Sequence, residues 1–152
     1  ANPDTLRTVR RITDLERLAC NVKALGRGRN VHRHLDLIAG LPCEDYESFG
    51  RSFDWAYRLC PEQLQLGFLK VLKGSYMYEK AEEYGIAYSS APPYEALKTR
   101  WLSYEEMCRL KRVERVLEMY YNSGQFELTV KVLELTEDNP FDLFYTILQR
   151  KR

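Results

Sequence analysis

The order of periodicities along residues 2–70 constrains this chain more than any other feature: helix-spaced, strand-like, helix-spaced, strand-like, with short connections. Asn2-Pro3 places a cap residue before the one helical position where proline fits, which predicts a short helix over 3–10. Thr13 with Glu16 reads as a capping box. Leu15, Leu18, Ala19, Val22 and Leu25 then keep one helical face, which Gly26 and Gly28 should end. VHRHLDLI, residues 31–38, is strand-like by composition and length, and the AGLP that follows breaks the chain at Gly40 and Pro42. Asp45 is placed to cap a helix whose apolar positions Tyr46, Phe49, Phe53, Ala56, Tyr57 and Cys60 recur every three or four residues. Pro61 stops that helix, and QLQLGFL, residues 63–69, alternates as a strand should. Helices inserted between successive strands point to a parallel sheet with helices packed on one side. Two strands cannot complete such a sheet, so the others are expected from a partner or from outside this sequence.

The pattern changes after Lys73-Gly74-Ser75. A short helix is expected over 77–84, ending at Gly85, and Pro92-Pro93 marks a turn or boundary. Ser103 and Glu106 form a capping box, with Leu102 and Met107 as the staple across it. Met107, Leu110, Val113, Leu117, Tyr120 and Tyr121 make a buried stripe that Gly124 closes. Phe126, Val130 and Leu133 start another helical face, interrupted by Pro140, and Phe141, Phe144, Tyr145 and Leu148 suggest a last helix. Residues from 103 to about 148 should therefore be almost wholly helical.

A chain of 152 residues can build one domain or two small ones sharing an interface. Its 23 basic and 22 acidic residues give a net charge of +1 with no basic stripe, which argues against nucleic acid. Its uncharged stretches fall far below the ~20 residues of a membrane helix, and no export leader stands at the start. Cys20, Cys43, Cys60 and Cys108 are scattered, which suits reduced thiols and a cytoplasmic location better than disulfides or zinc. The chain opens on Ala1 at a helix start, and the back half of a longer enzyme is the expectation.

Period-two geometry sets His32, His34 and Asp36 on one strand face and Arg33, Leu35 and Leu37 on the other. Buried parallel strands usually read as continuous apolar runs, and a barrel strand lining an active site is the usual exception. A metal site is conceivable, but these are the sequence's two histidines, and one aspartate completes at most three ligands. Polar barrel lining or a solvent-facing surface fits better. No activated nucleophile stands out, and the run from Lys70 to Ser75 has too few glycines for a phosphate loop. Glu82-Glu83 and Glu105-Glu106 read as solvated positions or caps, and the 11 tyrosines sit mostly at packing positions.

HLDLIAGLPCEDYESFGRSF, residues 34–53, and PEQLQLGFLKVLKGS, residues 61–75, resemble the late barrel strands of radical S-adenosylmethionine (radical SAM) enzymes. NPDTLRTVRRITDLERL, residues 2–18, resembles the segment after their cofactor-contacting glutamine strand. LSYEEMCRLKRVERVLEMYYNSGQF is similar to a helical domain of unknown function that trails the barrel in cobalamin-binding-domain radical SAM enzymes. Some of these are labelled anaerobic magnesium-protoporphyrin IX monomethyl ester cyclases.

The resemblance implies an α/β fold: residues 1–88 as the last part of a (β/α) radical SAM barrel, with two or three parallel strands, and 89–152 as the helical domain. By similarity to oxygen-independent coproporphyrinogen oxidases, Arg11 and Asp36 match S-adenosylmethionine contacts, and Lys70 falls where a backbone contact is made. An arginine fork suits the cofactor's carboxylate, and an aspartate on an inward strand position suits its ammonium or ribose hydroxyls. The family's Cys-x3-Cys-x2-Cys motif is absent from these residues. Without it no [4Fe–4S] cluster forms and no radical is generated. The chain alone is therefore expected to be inactive and without cofactors. In its parent it would work with S-adenosylmethionine, a [4Fe–4S] cluster and, in this subfamily, cobalamin. Expected partners are the rest of the parent barrel and, through cut strand edges, further copies of itself. A non-catalytic protein-interaction domain derived from a barrel remnant is the alternative. A shared fold does not carry a substrate with it.

Overall fold

The computed structural model describes residues 2–28 and 30–150 of the chain. Asn2 caps the first helix, α1 (Pro3–Thr8), by accepting from the Asp4 and Thr5 amides. Its Nδ2 also donates to the Cys43 carbonyl and to Ser48 Oγ, both at 2.8 Å. Thr5 Oγ1 donates to the Pro42 carbonyl at 2.8 Å. Helix α1 is thereby tied to a loop more than thirty residues ahead of it.

Helix α2 (Leu15–Arg27) is capped by Asp14 rather than Thr13, the Asp14 carboxylate accepting from Arg17 N at 2.9 Å. A charged acceptor suits the positive helix end better than a hydroxyl does, and it moves the start one residue on. The helix also runs through Gly26, so that glycine does not end it.

Strand β1 (His34–Ala39), helix α3 (Tyr46–Tyr57) and strand β2 (Gln63–Phe68) form the expected parallel unit, in register from His34 opposite Gln63 to Ala39 opposite Phe68. β1 starts three residues later than its composition suggests, and His32 lies ahead of it. Pairing begins where Gln63 N donates to Arg33 O, and Pro61 just before has no amide to extend the ladder. Leu35 and Leu37 turn toward the interior and Ala39 is buried, while His34, Asp36 and Ile38 are exposed. On β2, Leu64 and Leu66 are buried and Gln65 is exposed.

The expectation of parallel strands followed only by helices is corrected after residue 70. Helix α4 (Tyr76–Glu79) is a single turn, well short of residue 84. Strands β3 (Ala87–Tyr88) and β4 (Ala96–Lys98) then pair antiparallel as a second small sheet. At two and three residues they are too short to show a period. The segment before β4 also lies against the end of β2: Ala96 N donates to Leu69 O, and Val71 N to Tyr94 O, both at 2.8 Å. The fold is thus mixed α/β with one small parallel and one small antiparallel sheet.

Helix α5 (Tyr104–Leu117) carries the full Ser103–Glu106 capping box. It continues as a π-helical turn over Glu118–Asn122 that the sequence did not announce. Helices α6 (Glu127–Leu133) and α7 (Pro140–Arg150) follow as two separate helices, as expected, with Pro140 at the first position of α7. The side chain of Leu148, expected on the apolar face of α7, lies outside the described residues.

One hydrophobic cluster joins both halves. It includes Phe49 and Phe53 of α3, Leu64 and Leu66 of β2, Met107 and Leu110 of α5, and Phe144 of α7. The closeness is visible at Gly40, with φ +92°, where an added Cβ would lie 3.4 Å from Met107 Cε and 3.5 Å from Leu69 Cβ. The expected boundary between 88 and 89 falls inside the β3–β4 hairpin, and residues on its two sides share this interior. No helix among the described residues is long and apolar enough to cross a membrane.

Candidate functional site

Alternation in β1 and β2 creates one apolar face, covered by helices, and one polar face left open. The open face carries His34 and Asp36 on β1 beside Gln63 and Gln65 on β2. The Asp36 carboxylate is 2.9 Å from His34 Nε2, and both side chains are exposed. Asp36, Ile38, Gln65, Gly67, Phe68 and Lys70 line a shallow depression toward the C-terminal ends of the strands. In barrels this is the end where chemistry sits.

Lys70 follows β2 and pairs antiparallel with Glu95 as an isolated bridge. Its neighbours make the two hydrogen bonds of that bridge, through Leu69 O and Val71 N. Strand geometry therefore turns Lys70's own N–H and C=O away from Glu95 and from β1, toward the outer edge of β2 on which Leu64 meets Asn122. Among the described residues neither group has a partner, so both are available to a ligand. Lys111 of α5 contacts the Glu95 carboxylate and lies 5.3 Å from the centre of the Phe68 ring.

Arg11 is placed differently. It follows α1, donates its backbone amide to Leu6 O at 2.8 Å, and lines a separate depression with Leu6, Arg7 and Ile12. The neighbouring Arg10 guanidinium sits 4.9 Å above the Tyr76 ring. Because α1 rests on the loop after β1 and Arg10 on the segment after β2, Arg11 occupies the same end of the sheet. The structure thus brings Asp36 and Lys70 to one depression, with Arg11 in another at that end. His32 lies before β1, so the trio expected on one strand face is reduced to His34 and Asp36.

Four cysteines occupy four different places: Cys20 on α2, Cys43 after β1, Cys60 before β2 and Cys108 on α5. None shares a site with another, and among the described residues no group of three His, Cys, Asp or Glu could hold a metal ion. The cysteines present do not fit an iron–sulfur cluster, which needs several thiolates converging. The exposed Asp36 carboxylate, in the depression that Lys70 also lines, does fit the ammonium and hydroxyl chemistry of a nucleoside-type cofactor.

Other polar positions were missed by sequence reasoning. Arg33 turns its guanidinium under the sheet, donating from Nη2 to Glu62 Oε1 at 2.7 Å and to the Cys60 carbonyl at 2.7 Å. Its hydrogen bonds hold the Glu62 carboxyl down at about 2. Glu44, just after β1, is buried with its carboxylate accepting from Ser52 Oγ at 2.7 Å, and burial raises its pKa. Tyr57 donates to Glu134 Oε1 at 2.6 Å, and burial, with the carboxylate beside it, holds its hydroxyl protonated far above the usual range. Arg33 lay on the strand's non-polar parity, which was the available signal. Tyr57 and Glu134 join distant segments and have none, and Glu44 bonds Ser52 locally but is buried only by the tertiary packing.

Residues 82–150 match a protein family described as a protein of unknown function (DUF4080). The match covers β3 onward and includes none of Arg11, Asp36 and Lys70. No curated protein matches the chain.

Proposed function

We propose that this chain supplies the closing strands of a radical SAM barrel and that Asp36 and Lys70 form part of its S-adenosylmethionine pocket. The observation that carries this reading is the open polar face of β1 and β2. Asp36 and Lys70 line one depression at the strand ends. A second observation concerns edges. The outer edge of β2 is met by Asn122, residues 94–96 take the place of β1 beyond Ala39, and among the described residues β1 pairs with β2 alone. The uncovered side of β1 suits further parallel strands of a parent barrel, and the half-exposed Leu15, Leu18 and Ala19 of α2 suit packing beside them. The match of residues 82–150 to a family associated with cobalamin and radical SAM proteins supports the same assignment.

In this reading the Asp36 carboxylate accepts from the cofactor's ammonium or ribose hydroxyls, Lys70 contributes its backbone, and Arg11 approaches the carboxylate from the loop after α1. Bound S-adenosylmethionine would supply a reducible sulfonium, with the cluster ligands lying outside these residues. A porphyrin-cyclase-like oxidoreductase, cobalamin-dependent as in the resembling subfamily, is the activity proposed for the parent. The second reading, a protein-interaction domain, draws on Leu128, Val132 and Leu135, which expose 79%, 62% and 86% of their surface.

The test is Asp36→Asn in the full-length protein, with S-adenosylmethionine binding measured beside iron content. Loss of one charge-assisted contact costs ~1.5–3 kcal/mol, so affinity should fall about ten- to a hundredfold with iron retained. Unchanged affinity in an iron-replete variant would make Asp36 a structural carboxylate and remove the basis of the proposal.

A further inference from the structure

Two surface features outside the sheet face have complementary chemistry. The first is a groove of about 340 Å³ between α2 and α3, lined by Lys23, Arg51, Trp55 and Arg58 among others. Arg51, Trp55 and Arg58 are spaced i, i+4 and i+7, so they share the outer face of α3, opposite buried Phe49, Phe53 and Ala56. Trp55 is half-buried, and Arg58 is held by Asn139 at 3.4 Å. One carboxylate already sits there: Asp54 accepts from the Phe141 amide at the start of α7, at 2.8 Å. Lys23 and Arg51 make no side-chain hydrogen bond or ion pair among the described residues, although the charge of Arg51 reaches the buried Glu44.

The second feature is the α6–α7 loop. Leu135 is 86% exposed, and Glu137 and Asp138 follow it with no hydrogen bond or ion pair among the described residues. The loop borders the basic groove directly, because Arg58 and Asn139 line both that groove and the depression containing Glu137 and Asp138. An acidic segment with an exposed leucine therefore stands next to a basic groove with a half-buried tryptophan. Neighbouring patches of opposite sign form a self-complementary surface when a two-fold axis passes between them.

We propose that segment 135–138 of one copy seats in the Lys23–Arg51–Trp55 groove of a second copy, and reciprocally, about an axis near Arg58 and Asn139. Leu135 then covers the Trp55 indole, and Glu137 and Asp138 meet Lys23 and Arg51. The contact is isologous and closes at two copies. It is separate from the uncovered β1 edge and does not depend on the cofactor reading.

Sedimentation of the 152-residue chain, with charge-reversed variants, tests this. The wild-type chain should form a dimer at about 0.1 M salt that weakens at about 1 M, where the Debye length drops from about 10 Å to about 3 Å. Lys23→Glu with Arg51→Glu should weaken self-association at least tenfold, and so should Glu137→Lys with Asp138→Lys. Each of these meets itself like charge against like. Mixed together they should form a heterodimer, because both of its contacts are again complementary. Leu135→Ser, at a position with little to lose on folding, should weaken the dimer without altering the circular dichroism spectrum. A monomer at every concentration, a dimer indifferent to salt, or reversed variants that self-associate like the wild type would each overturn the proposal. The salt-indifferent dimer would point instead to pairing through strand edges.

Discussion

Arg33 shows how much one side chain on the covered side of a strand can do. Its guanidinium donates to the Glu62 carboxylate and to the carbonyls of Val22, Leu59 and Cys60, linking α2, the end of α3 and the start of β2. Truncation to alanine removes the guanidinium from these acceptors, leaving Glu62 only the Arg33 backbone amide, and should cost about 2 kcal/mol in chemical denaturation. The partner carboxylate gives this a pH signature. Glu62 is held at about 2 when folded, below its ordinary 4.5. Its contribution is therefore full above about 4.5 and lost as pH falls toward 2. Its side chain is 40% exposed, so solvent screening limits the effect to about 1 kcal/mol. Glu62→Gln should flatten the stability profile between pH 2 and 5. Glu44 has the opposite sign: burial raises its pKa, so its charged form opposes folding as pH rises. Glu44→Gln keeps an acceptor for Ser52 and should raise the melting temperature at neutral pH.

At the scale of elements, the two sides of the parallel pair differ. Strand β2 is protected by an unusual device: Asn122, in the π-helical turn after α5, accepts from Leu64 N at 3.0 Å and donates to Leu64 O at 2.9 Å. A side-chain amide thus stands in for one residue of a neighbouring strand. The π-turn inserts an extra residue into the helix and brings Asn122 to that edge. Asn122→Ala should leave both Leu64 groups unpaired at a cost of about 1–3 kcal/mol. Amide exchange at Leu64 should then accelerate more than at the centre of β1. Asn122→Asp retains the acceptor but loses the donor, and should fall between alanine and the wild type.

The whole molecule is held by its last helix as much as by its sheet. Phe141, Leu143, Phe144 and Ile147 of α7 are all buried, and the Phe53 ring meets Phe141 and Phe144 edge-on at 5.5 and 5.7 Å. At about 1.5–3 kcal/mol for each buried apolar side chain, four of them match the roughly 5–15 kcal/mol that holds a domain folded. A chain ending at residue 139 should lose cooperative unfolding altogether. Phe144→Ala should cost about 3–5 kcal/mol in the full chain. If residues before 88 retained a sharp transition without α7, the single shared interior would be refuted.

The sequence alone determined what depends on neighbours a few positions apart. Caps at Asn2, Asp45 and Ser103, the strand–helix–strand order, the buried stripe of α5 and the polar parity of Asp36 were legible for that reason. Short range also explains the near misses, since Asp14 and Thr13 compete for one cap and Gly26 can either end a helix or lie within it. Tertiary structure decided what depends on distant segments meeting. Residues 94–96 lie along the end of β2, Asn122 pairs with Leu64, and Arg33 reaches three carbonyls. Arg11 is carried to the sheet end of Asp36 and Lys70 but into a separate depression. None of these has a period, because each depends on segments that meet only once the chain has packed.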